Sequence, residues 1–143
     1  MGCYYETSRI MRMSKKESKY IVELTGRQLK LIADCVEDCC RFMAGQTCLD
    51  NIVSGHYNRM RIKDDLDKLH YSVTPYLPRG ASYSWNGGDC RDDYQRKFIA
   101  ETYPIYREIL HFFADEDDLN NVYRSATLTC EEGGAPIKIC RKE

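Results

Sequence analysis

The sequence predicts an α+β domain, with two main helices packed on a small, mostly antiparallel sheet. That sheet would be formed by an N-terminal strand and a C-terminal hairpin. Three observations predict it. Residues 19–24, KYIVEL, are short, β-branched and aromatic, as strands are. Two later segments repeat apolar residues every three or four positions, which marks one buried helix face. Near the end, two short alternating runs, Tyr123–Cys130 and Pro136–Cys140, flank Glu131-Glu132-Gly133-Gly134, where glycine supplies the positive φ of a tight connection.

In chain order, residues 1–18 read as a flexible basic tail with Arg9, Arg12, Lys15 and Lys16 and no apolar period. Residues 19–143 form the single domain. Thr25 and Gln28 fit a capping box at the start of the first helix. Its stripe is Leu29, Ile32, Ala33, Val36, Cys40 and Met43, and Gly45 is placed to end it in the left-handed conformation. A short helix with a narrow apolar edge of Ile62, Leu66 and Leu69 follows. Its exposed face is Lys63, Asp64, Asp65, Asp67 and Lys68.

The organising stretch is 75–113. It opens as a Pro- and Gly-rich loop holding Trp85, the only tryptophan, and feeds into the longest amphipathic segment. Asp92 and Asp93 suit the positive N-terminal end of that second helix. Phe98, Ile99, Thr102, Ile105, Tyr106, Ile109, Leu110 and Phe113 give it a wide apolar face, and Pro104 predicts a kink.

The bulk numbers narrow the function. A chain of 143 residues is one domain's worth and buries about two-thirds of its unfolded surface. A net charge of −1 creates no global field toward nucleic acid or an anionic membrane, so nucleic acid is not the expected partner. No apolar run reaches the roughly 18–20 residues that span a bilayer, and the N-terminus has no apolar signal core. Eight cysteines without a CxxC pair read as reduced thiols of the cytoplasm, with no metal and no cofactor. Cys35 and Cys39 could offer two thiolates one helical turn apart, yet zinc needs two more ligands. His56, His70 and His111 are scattered, and neither a nucleophile elbow nor a phosphate loop is present. The balance is against an enzyme, with a cysteine- or metal-dependent one as the third reading.

What remains is a cluster of cations and aromatics. The loop supplies Arg79, Tyr83, Trp85 and Asn86, and Arg91 lies at its end. On the helix, Arg96, Tyr103, Arg107 and His111 follow at spacings of seven, four and four, close to one line. Arginine forks onto phosphate, and aromatic faces stack on a base. The competing explanation is structural: Arg96 and Arg107 lie over core edges and pair with Glu101 or Glu108, and Trp85 plugs the core. The first reading is therefore a non-enzymatic binding protein for a small anionic, nucleotide-like ligand. The second is a protein–protein interaction module using the same loop. Unpaired sheet edges also predict a homo-oligomer.

The stretches KYIVELTGRQLKLIADCVEDCCRFMAGQ, ASYSWNGGDC, QRKFIAETYPIYREILHFF and GGAPIKI resemble, in overall pattern, small uncharacterised proteins of phages, prophages and mobile elements. The resemblance covers most of 19–140 and brings no functional residue with it. It implies an accessory protein acting in the bacterial host cytoplasm. Some small non-enzymatic phage proteins sequester cyclic-nucleotide immune signals between subunits, and the likeness to these is one of context and size alone.

Overall fold

The computed structural model describes residues 17–76, 84–90, 92–117, 119 and 121–143. Among the described residues five helices follow in order: α1 (Gly26–Met43), α2 (Asp50–Val53), α3 (Arg59–Val73), α4 (Asp93–Phe112) and α5 (Asn121–Arg124). Short 3₁₀ turns occupy Thr74–Tyr76 and Glu131–Gly133. No strand or sheet occurs among the described residues, so the α+β expectation is corrected to a helical fold.

The physical reason lies in how α1 and α4 pack. They meet each other directly, and their apolar stripes form one core of Ala33, Cys40, Ile99, Tyr106, Ile109 and Phe113. No sheet is needed to cover either stripe. Residues 19–24 have no regular secondary structure and form no ladder. The first run of the expected hairpin begins inside α5, and Glu131–Gly133 is a 3₁₀ turn packed on α4. The chain beyond it bends at Ala135 and does not pair with the first run as a strand.

Where local chemistry decides, the expected elements form. Thr25 accepts from the Gln28 amide at 3.2 Å, and its own N–H donates to Gln28 Oε1 at 2.8 Å, closing the capping box. Gly45, at φ 91°, ends α1. Its N–H donates to the Phe42 carbonyl and that of Gln46 to Arg41, the paired bonds of a Schellman end. Ile32 departs from the expected stripe and is exposed. Asp92 caps α4 by accepting from the Gln95 amide at 3.0 Å. The short helix expected in the middle is α3, which buries none of its residues.

Pro104 lies inside α4 and is buried. Having no N–H, it leaves the Ala100 carbonyl without its helical donor. The Glu131–Gly133 turn fits against that spot so closely that a Cβ on Gly133 would lie 2.3 Å from the Ala100 oxygen. Gly133→Ala must therefore push the turn off the helix, at a cost of about 1–3 kcal/mol. The expected outcome is a melting temperature lower by several degrees, read by circular dichroism.

Candidate functional site

A cleft of about 380 Å³ opens where α4, the loop before it, α5 and the end of α1 converge. Its lining includes Trp85, Tyr103, Tyr106, Arg107, Tyr123 and Arg41. The volume lies within the range of small-ligand pockets.

The helix α4 supplies three of these at positions 103, 106 and 107, which share one face at helical spacing. The Tyr103 and Tyr106 rings meet edge to face, 5.4 Å apart. Trp85 is half-buried on the loop, where residues 84–88 make a compact turn. In that turn Asn86 Oδ1 accepts from the Ser84 hydroxyl at 2.9 Å and from the Gly88 amide at 3.0 Å. Gly87 adopts φ 70° and presses against the backbone of Arg96, where a Cβ would meet Cα and O at 2.7 Å.

Arg107 is the unusual member. It is 5% exposed. Its Nη2 donates to the Val122 carbonyl at 2.6 Å, but Nε and Nη1 are buried with no hydrogen-bond partner among the described residues. Its guanidinium lies 4.9 Å from the Tyr123 ring centre and 6.0 Å from that of Tyr103. Aromatic faces lessen the cost of burying the charge, yet they satisfy neither N–H.

The opposite wall is already neutralised. Arg41 donates to Glu37 at 2.9 Å and to Gln46 at 3.0 Å. Glu37 is 6% exposed and also accepts from the Asn51 side chain at 2.9 Å. The Tyr123 hydroxyl reaches the same carboxylate at 3.4 Å. Burial pushes the Tyr123 phenol above its usual range, and the Glu37 charge adds to this. The phenol therefore remains a neutral donor. The cleft lining carries two arginines; Arg41 is paired with Glu37, whereas no carboxylate is paired with Arg107 among the described residues.

The residues singled out by sequence divide into five fates. Trp85, Tyr103 and Arg107 come together in the cleft. Asn86 builds the turn that carries Trp85. His111 lies behind the wall, where its Nδ1–H donates to the Tyr123 carbonyl at 2.7 Å and holds α5 against α4. Arg96 pairs with Glu132 at 2.8 Å and Asp93 at 3.1 Å, so it joins the 131–133 turn to α4 and does not line the cleft. Arg79, Tyr83 and Arg91 lie outside the described residues.

Sequence reasoning missed Arg41, Tyr106 and Tyr123 as lining residues. Tyr106 was visible only as a core position. Arg41 had one signal, the i, i+4 spacing from Glu37 at the end of α1. Tyr123 sits on a four-residue helix that was read as the start of a strand.

The rest of the molecule offers less chemistry. Among the described residues no group of three or more His, Cys, Asp or Glu could hold a metal. Thr47 Oγ1 and His70 Nδ1 lie 3.1 Å apart and tie α3 to the segment after α1, with neither in the cleft lining. No helix among the described residues is long and apolar enough to cross a membrane. No family model matches the chain, and neither the curated proteins nor the solved structures include a significant match.

Proposed function

We propose that this chain is a non-enzymatic binding protein whose cleft holds a small anionic ligand with a planar ring, nucleotide-like in character. The observation that carries the reading is Arg107. A guanidinium 95% buried with two orphan N–H groups is costly to a fold, by about 1–3 kcal/mol for the unsatisfied donors. A phosphate or carboxylate oxygen supplies both the missing acceptors and the missing negative charge. Trp85 and Tyr103 bring two aromatic rings to the same space, and each offers a face or edge to a base.

The resemblance in sequence pattern adds a context: an accessory protein of a phage or mobile element, acting in the bacterial host cytoplasm. Cyclic nucleotides are then the first class to try. Calorimetric titration of the full chain against cyclic nucleotides, nucleoside monophosphates and aromatic carboxylates tests the reading. Micromolar binding by one class is the expected result. Failure of every class at high micromolar concentration overturns it.

A further inference from the structure

Residues 17–24 form an arm with no helix, turn or bend along its length, and it meets α1 through Thr25 in extended conformation. None of its main-chain groups has a backbone hydrogen bond among the described residues. Its side chains are as open: Ile21 is fully exposed, Tyr20 is 85% exposed and Val22 69%. Residues 136–143 form a second segment without turn, bend or backbone pairing, and Lys142 reaches Glu23 at 2.7 Å. Between the two runs lies a broad trough of mixed lining, with Leu29, Ile105, Phe112, Ile137 and Ile139 among its apolar residues and Lys97, Glu101 and Arg141 among its charged ones. An unpaired edge of β-branched and aromatic residues is a template for strand addition.

We propose that the occupant is a second copy of this chain, whose 17–24 arm pairs antiparallel with this one about a twofold axis at Ile21. Charge complementarity selects both the partner and the register. With Ile21 opposite the partner's Ile21, Lys19 stands opposite the partner's Glu23, whose Oε1 holds Lys142 of its own chain and whose Oε2 is left for this contact, and the pair is repeated by symmetry. Tyr20 then stands opposite the partner's Val22 on the other face, again twice. Centring the axis on Tyr20 sets Glu17 against the partner's Glu23, a like-charge pair. Centring it on Val22 leaves Lys19 and Glu23 without charged partners. Only the Ile21 register satisfies charge and apolar pairing together. A two-stranded ribbon is marginal alone. The trough gives this one apolar walls to lie against.

The test is sedimentation equilibrium of the full chain from about 1 to 100 µM, a span that covers ordinary dimer affinities. The wild type is expected to dimerise. Ile21→Pro, which removes the central N–H, is expected to be monomeric with unchanged helical circular dichroism, since Ile21 touches nothing in the protomer. Lys19→Glu is expected to weaken the dimer roughly tenfold, and the triple variant Lys19→Glu, Glu23→Lys, Lys142→Glu, which keeps an ion pair at position 23, to restore it. A strictly monomeric wild type overturns the proposal. So does a dimer that Ile21→Pro leaves intact, or a charge reversal that does not rescue.

Discussion

Arg107→Met is expected to lose ligand affinity and gain stability at once. The binding loss follows from removing a charge-assisted contact of about 1.5–3 kcal/mol, which is roughly tenfold to a hundredfold in Kd. The stability gain follows from the same side chain in the empty protein. Methionine has similar reach and fills an irregular apolar space, and it carries no N–H to leave unsatisfied. Two losses oppose the gain: the bond to the Val122 carbonyl and the contact with the Tyr123 ring. Replacing buried charge by apolar volume is often neutral or stabilising. Because Glu37 keeps Arg41, no carboxylate is stranded. A net gain of about 1 kcal/mol, a few degrees in melting temperature, is the expected balance. Calorimetry and thermal melts on one preparation read both. A variant that melts well below the wild type marks Arg107 as a structural residue, and one that binds unchanged moves the ligand elsewhere.

Gly87→Ala is expected to act in the opposite way, harming the fold first and the cleft through it. Two penalties coincide at this residue. Its φ of 70° costs an ordinary residue about 1–2 kcal/mol. The added Cβ also meets the Cα and O of Arg96, and backbone atoms cannot rotate aside. Overpacking of this kind costs about 1–3 kcal/mol. Together they amount to a loss of about 2–5 kcal/mol, unless the loop lifts from α4 to avoid part of it. Lifting carries Trp85 away, so tryptophan emission should shift red even where the protein remains folded. An unchanged melt and an unchanged spectrum would show that the turn has another way to pack.

How much of this was legible beforehand depends on the range of the interaction. The box at Thr25, the Gly45 end and the Asp92 cap were readable because each is settled within about four residues. The stripes on α1 and α4 were readable because burial imposes their period. The sheet was misread because KYIVEL has the local character of a strand, while pairing depends on what lies beside it. Among the described residues, no backbone pairs with it. The cleft was half legible: Trp85, Tyr103 and Arg107 fall in or near one helix. Arg41 and Tyr123 reach it only through the packing of α1 and α5 on α4, which no spacing announces.

Glu37 gives the cleft a mechanical character. One carboxylate, sunk in α1, is gripped by Arg41 from its own helix, by Asn51 from α2 and, more loosely, by Tyr123 from α5. Neighbouring Asp38 accepts from the Asn51 and Ile52 amides and pins the start of α2 beside it. Three segments that share a single anchor do not drift independently. The wall facing Arg107 is therefore set before anything enters, and a guest would have little of this side of the protein left to organise.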